Sequence, residues 1–121
     1  MAKRVFVSFD YDNDLGLKNL LVGQSRNSDS PFEVIDWSLK EAAPQKDWQQ
    51  KALERIKRSD IVLVLVGSTT YRAPGVLKEV RMAQNEGVKR VQVTNLTNAH
   101  RVEDAGTLYK WTWENLKNLL A

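Results

Sequence analysis

The strongest constraint on the fold is a run of six aliphatic residues, Ile61–Val66, every one of them β-branched or leucine. A strand with this composition is typical of the centre of a parallel sheet, where helices cover both of its faces. We therefore expect Ile61–Val66 to be a central strand of an α/β domain.

Apolar runs alternate with helical patterns along the rest of the chain, which predicts successive βαβ units and a parallel sheet. The other predicted strands are Val5–Phe9, Phe32–Ile35, the region of Val88, Val91 and Val93, and a short one near Leu108 and Tyr109. Right-handed crossovers then favour the strand order 2-1-3-4, with the short fifth strand beyond the fourth. The prediction is one flavodoxin-like domain over residues 1–121, with helices on both faces of an open sheet.

Apolar residues at helical spacing predict four helices. Their expected buried faces are Leu17, Leu20 and Leu21; Trp48, Ala52 and Ile56; Val76, Val80 and Ala83; and Trp113, Leu116 and Leu120. The expected helix-start residues are Asp12 or Asp14, Asp47, Pro74 and Thr112, with Gly87 just beyond the third helix. A cap at Thr112 places Trp111 at N′ and Leu116 at N4, which is the hydrophobic-staple spacing. We interpret Trp111 and Trp113 as packing residues.

Composition excludes several kinds of site. The chain has no cysteine, which removes disulfides, thiolate metal ligands and cysteine nucleophiles, and a single histidine, His100. Its net charge of +3 is spread over interleaved acidic and basic residues rather than a basic stripe, so nucleic acid is not an expected partner. No stretch approaches the length of a membrane span and the first apolar run is short, so we expect a cytoplasmic protein with no membrane contact.

In open parallel sheets, ligands bind at the carboxyl ends of the strands, where the strand order reverses. That edge collects Asp10-Tyr11-Asp12, Asp36-Trp37-Ser38 and Gly67–Thr70, together with the start of the Val76 helix. The aspartates after the first strand would repel a flavin phosphate, and a Walker loop and a GxGxxG motif are absent. A phosphoryl receiver needs an acceptor aspartate after the third strand, where Gly67 and Ser68 stand instead.

Glu79 remains as the acidic residue that overlooks this edge. On an ideal helix it lies about 60° from Val76, at the border of the apolar stripe, so its carboxylate is able to lean toward the sheet. The alternative from the pattern alone is a solvated surface glutamate, because such groups are rarely buried.

Four segments spread over nearly the whole chain resemble the TIR-like domains, specifically the small prokaryotic branch that includes the Thoeris defence proteins of the ThsB type. Lys3–Phe9 resembles the VFISY strand of TIR domains, Ser59–Ser68 the approach to their third strand, and Gly75–Glu79 their WVxxE helix start. Tyr109–Trp113 is similar to the end of the small TIR-like proteins. Gly75 departs from the pattern, because many TIR domains have tryptophan there.

The resemblance implies a catalytic role for Glu79, since the matching glutamate of catalytic TIR domains cleaves the nicotinamide–ribose bond of NAD. It implies NAD or a related nucleotide as substrate, water or the adenine ring as acceptor of the sugar, a possible signal for antiviral defence, and self-association through TIR-type contacts. No metal and no separate cofactor are expected. The candidate substrate-binding residues at this edge are Asp10, Tyr11, Trp37, Ser38, Ser68 and Thr69.

Two other functions stay open. The first is a non-catalytic interaction module, which Gly75 and the small size favour. The second is a receiver-like domain that acts without phosphorylation, which rests on topology alone.

Overall fold

A computed structural model describes residues 2–35 and 45–121, with side chains described from residue 48 onward in the second segment. Its elements, in chain order, are β1 (Lys3–Ser8), α1 (Leu15–Ser25), β2 (Phe32–Val34), α2 (Gln45–Lys57), β3 (Ile61–Val66), a 3₁₀ turn (Thr70–Arg72), α3 (Pro74–Asn85), β4 (Lys89–Thr94), β5 (Leu108–Lys110) and α4 (Trp113–Leu119).

The five strands form one parallel sheet in the order β2-β1-β3-β4-β5. This confirms the predicted order, including the short fifth strand. The order reverses at β1, which pairs with β2 on one side and β3 on the other. All six residues of β3 are buried, as their composition predicted.

Helices cover both faces of the sheet. The α2 and α3 helices contact one another, and Val76 and Val80 of α3 pack on Val64 and Val66 of β3. Right-handed crossovers place α1 on the opposite face. A hydrogen bond of 2.9 Å from the Trp111 indole to the Gln24 side chain joins the start of α4 to the end of α1.

The third helix follows its predicted pattern. Pro74 occupies its first position, where the missing N–H costs nothing. Gly87 follows the helix with φ of +70°, a left-handed conformation that glycine adopts without steric cost. Along the helix, Val76, Glu79, Val80 and Ala83 are buried, so the stripe that faces the sheet includes a carboxylate.

Three predictions about helices need correction. In α1, Leu21 is buried but Leu20 is 48% exposed, because this helix contacts the edge strand β2 and buries only a narrow stripe. Asp14 stands at the N-cap of α1 without a capping bond, since its carboxylate bonds Thr70 instead. In α2, Gln45 and Lys46 are already helical, so the predicted cap Asp47 lies inside the helix.

The cap of α4 is confirmed. Thr112 accepts a hydrogen bond of 3.0 Å from the Asn115 backbone N–H, and both Trp111 and Leu116 are buried in the core. Trp113 is half-buried against the same core. Within residues 2–35 and 45–121, no helix is long and apolar enough to span a membrane.

Candidate functional site

A small pocket lies at the carboxyl end of β1, where the strand order reverses. It has a volume of about 150 Å³ and lies between two segments, residues 9–12 after β1 and residues 73–76 at the start of α3. This is the edge at which the sequence predicted a site. The volume is below the range of about 300–1,000 Å³ typical of small-molecule sites.

Glu79 lies one turn further along α3 and is fully buried, with 0% of its surface exposed. Its Oε1 accepts a hydrogen bond of 2.7 Å from the Ser8 hydroxyl, which is also 0% exposed. The interpretation of Glu79 as a solvated surface residue is therefore wrong. The carboxylate points toward β1 and the sheet.

Asp10 joins the loop after β1 to the loop after β3. Its Oδ2 accepts hydrogen bonds from the Thr69 hydroxyl at 2.7 Å and the Asn13 side-chain amide at 2.8 Å, and its Oδ1 accepts from the Asp12 backbone N–H at 3.2 Å. Burial on its own would raise the pKa of Asp10, but these bonds, led by those from Asn13 and Thr69, outweigh it and lower the pKa. Asp10 is therefore an anion at neutral pH.

Asp14 lies behind this loop in a different environment. The Thr70 hydroxyl accepts from the Gly67 backbone N–H at 2.7 Å and lies 3.0 Å from Asp14 Oδ2, to which it donates. Burial raises the pKa of the Asp14 carboxyl; the bond from Thr70 lowers it and the charge of Asp10 raises it further, so the net shift is upward. A Cβ on Gly67 would lie 2.5 Å from Asp14 Oδ1. Position 67 therefore requires glycine unless the Asp14 carboxylate moves.

The structure brings together part of the predicted substrate-binding set. Asp10 and Tyr11 line the pocket, and Thr69 bonds Asp10 from the neighbouring loop. Tyr11 is half-buried, with its ring 6.0 Å from that of Phe9. Ser68 is exposed and is not among the described residues that line the pocket. The remaining two predicted members, Trp37 and Ser38, lie outside the described residues.

Gly75 lines the pocket, and its other side faces α2. A Cβ built on Gly75 would lie 3.5 Å from the Trp48 ring, which is an ordinary van der Waals contact. Trp48 is itself buried, at 9% exposure. The indole of Trp48 therefore occupies the direction that a larger side chain at position 75 would take.

A larger depression of about 520 Å³ lies between α1 and β2, where Lys18 and Arg26 flank an apolar floor. None of the described residues that line it was predicted for the site, and Glu79 is not among them. We therefore locate the candidate site at the smaller pocket, next to the buried carboxylate. In the described part of the chain, no three histidine, aspartate or glutamate side chains are grouped to hold a metal ion.

Sequence reasoning missed Ser8, Asn13 and Thr70 as members of this site. Ser8 had a signal, because it is the one polar residue in the apolar run Val5–Phe9, which was predicted to be the first strand. A buried hydroxyl needs a hydrogen-bond partner, and the nearest helix carries Glu79. Asn13 and Thr70 had no such signal, because polar residues in loops are usually solvated.

Comparisons with known proteins give the following matches. A family model described as Thoeris protein ThsB, TIR-like domain, matches residues 6–100. Among solved structures, the Clostridium botulinum CMP N-glycosidase BcmB is similar, with a TM-score of 0.53 and 20% sequence identity over 97% of this chain and 98% of that chain. At this identity the likeness shows the fold alone. None of the curated proteins matches the sequence.

Proposed function

Because the chain belongs to the Thoeris ThsB TIR-like domain family, we propose that it cleaves the N-glycosidic bond of a nucleotide, with NAD as substrate and Glu79 as the catalytic residue. The observation that carries the proposal is a carboxylate fixed by a buried hydrogen bond next to a pocket at the ligand-binding edge of the sheet. The similar fold of a CMP N-glycosidase supports the same class of bond.

The chemistry needs a fixed negative charge. When the bond between ribose C1′ and the base nitrogen breaks, its electron pair leaves with the base and positive charge develops on the ribose. A carboxylate held in place stabilises charge that appears only in the transition state. Water then adds to C1′ and releases a proton to solvent, and the products are the free base and a ribose with a hydroxyl at C1′. In a cyclising enzyme an adenine nitrogen takes the place of water.

The leaving group favours NAD over a nucleotide whose base is neutral, such as CMP. Nicotinamide is bound to ribose as a cation and departs neutral, so it needs no proton, whereas cytosine departs as an anion unless an acid protonates it. Asp10, which lines the pocket, has a lowered pKa and is a poor proton donor at neutral pH. The proposal therefore ranks NAD above CMP as substrate.

The buried position of Glu79 sets a condition on this function. Substrate reaches the carboxylate only after the residues around it rearrange, because Glu79 is 0% exposed. Self-association through TIR-type contacts is a proposed way to favour the open form. A role in antiviral defence is part of the same proposal and follows from the family.

The test follows release of free base by concentrated protein from NAD and, separately, from CMP. In Glu79→Gln the amide oxygen still accepts from Ser8, so the fold is preserved while the charge is lost. We expect release from NAD to fall by about 10²–10³-fold, the size typical for loss of one electrostatic stabiliser. Glu86→Gln is the matched control, because Glu86 is exposed at the end of the same helix. No release by the wild type, or equal release by Glu79→Gln, contradicts the proposal.

The complete burial of Glu79 favours a second candidate, a non-catalytic interaction module in which Ser8 and Glu79 form a structural link between β1 and α3. This candidate predicts concentration-dependent light scattering or capture of a partner, with no base released from NAD or CMP. A strictly monomeric protein that captures no partner would count against it.

A further inference from the structure

The bond between Ser8 and Glu79 joins two parts of the chain that are 71 residues apart and is buried from end to end. We propose that Ser8 is a positioning residue, which holds the carboxylate of Glu79 in the orientation that the cleavage reaction needs. This inference rests on the proposed function, because it assigns Ser8 a role in the work of Glu79.

Ser8 is the last residue of β1 and pairs in register with Val64 of the central strand. Val64 is in turn paired with Gln92 of β4 on the same face. The hydroxyl of Ser8 therefore starts from a backbone that is paired with the centre of the sheet.

Glu79 is less constrained by its own backbone. Its carboxylate lies at the end of three rotatable bonds, so α3 fixes where the side chain begins but not how the carboxylate is turned. The bond of 2.7 Å from Ser8 Oγ to Oε1 fixes one of the two oxygens. This is the usual length of an O–H···O hydrogen bond, so we expect it to favour one rotamer of the side chain.

The hydroxyl of Ser8 donates to Glu79 Oε1, so the proposal gives Ser8 a role through Glu79 and not on the substrate. Loss of its hydroxyl should therefore alter the rate of bond cleavage and leave substrate binding almost unchanged. We expect Ser8→Ala to lower kcat for release of nicotinamide from NAD about 10- to 100-fold, the size of a hydrogen bond to a charged group, with KM changed less than about twofold.

A purely structural role would not produce this split between kcat and KM. The control is Thr94→Val, which removes another buried strand hydroxyl, one that donates to the Val66 carbonyl at 2.8 Å and accepts from the Leu96 backbone N–H at 3.0 Å. Thr94→Val should lose at least as much stability as Ser8→Ala in urea unfolding, but only Ser8→Ala should lose kcat. Ser8→Thr restores a hydroxyl on the same strand and should recover most of the rate, whereas Ser8→Cys, a weak donor of similar size, should behave like Ser8→Ala.

The outcomes separate the two proposals. If the wild type and Ser8→Ala release nicotinamide at equal rates while Glu79→Gln does not, the role of Ser8 is overturned and the proposed function stands. If Ser8→Ala and Thr94→Val lose kcat equally, Ser8 is structural and the inference is again wrong. If the wild type releases no base from NAD or CMP, both proposals fall together. If Ser8→Ala does not fold, Ser8→Cys supplies the same comparison.

Discussion

At the scale of single residues, the pKa values of Asp10 and Asp14 are shifted in opposite directions, although the two residues are only four positions apart. The pKa of Asp10 is lowered below its ordinary value of 3.8, because the bonds that it accepts outweigh its burial. The pKa of Asp14 is raised above 3.8, because burial and the charge of Asp10 outweigh the bond from Thr70. The contribution of Asp10 to stability is therefore present above pH 3.8 and is lost as the pH falls through its folded pKa. That of Asp14 is present below pH 3.8 and is lost as the pH rises through its folded pKa.

This difference predicts opposite effects for one substitution. At pH 7, Asp10→Asn should lower the free energy of unfolding by about 1–3 kcal/mol, because an amide cannot accept all the donors that surround position 10. Asp14→Asn should raise it by on the order of 0.5 kcal/mol, because the charge is removed while an oxygen remains for Thr70. Urea unfolding between pH 7 and pH 3 tests the pair, and both differences should shrink toward the acid end. If both substitutions change the free energy of unfolding in the same direction at pH 7, the opposite roles of Asp10 and Asp14 are contradicted.

At the scale of elements, α4 depends on its first residues because it has only seven, Trp113–Leu119. Thr112→Ala removes the oxygen that accepts from the Asn115 backbone N–H, and should lower the free energy of unfolding by about 1 kcal/mol. Thr112→Ser keeps the oxygen and should be within a few tenths of the wild type. Urea unfolding at fixed pH compares the three proteins, and an equal loss in both variants would show that the methyl group of Thr112, rather than its cap, is what matters.

The contact between α2 and α3 yields a second prediction at this scale. Gly75→Ala should be neutral or stabilising by up to about 1 kcal/mol, because the methyl group fits against Trp48 and alanine favours a helix. Gly75→Trp should destabilise by about 1–3 kcal/mol or more, because the indole of Trp48 already fills that direction. Thermal unfolding followed by tryptophan fluorescence gives both values. A stabilised Gly75→Trp would show that the space beside Trp48 is open.

At the scale of the whole molecule, stability should be graded outward from β3. This strand is paired on both sides and fully buried, whereas β2 and β5 are three-residue edge strands. Amides of Ile61–Val66 should therefore exchange with solvent only through global unfolding, at least about 100-fold more slowly than those of Phe32–Val34 and Leu108–Lys110. Hydrogen exchange followed by mass spectrometry measures this, and equal protection of centre and edge would contradict it.

The architecture could be predicted from the sequence because each element has its own local pattern. The aliphatic run of β3, the helical stripes and the cap of α4 each report one element, and the crossover rule then orders the strands. The site depends instead on single contacts between distant residues. The bond from Ser8 to Glu79 depends on how α3 packs on β1, and the one from Thr69 to Asp10 depends on the register of β1 and β3. No local pattern encodes either arrangement.

Contacts between distant residues also explain why the predictions for Leu20 and Asp14 were wrong. Leu20 and Leu21 are both apolar, and only the lateral position of α1 at the edge of the sheet decides which of them is covered. Asp14 has the right residue type for a cap, but Thr70 competes for its carboxylate from 56 positions away. Local preference was outweighed by tertiary contacts in each case.

Because Ser8 and Glu79 are 71 residues apart in the sequence, the hydrogen bond between them forms only after much of the chain has been synthesised. The first strand is synthesised early, but its hydroxyl meets its acceptor only once the third helix has emerged and docked on a sheet that already contains the third strand. A chain in which α3 has not docked on β1 therefore lacks this bond, and any activity that depends on the bond begins only after α3 has docked.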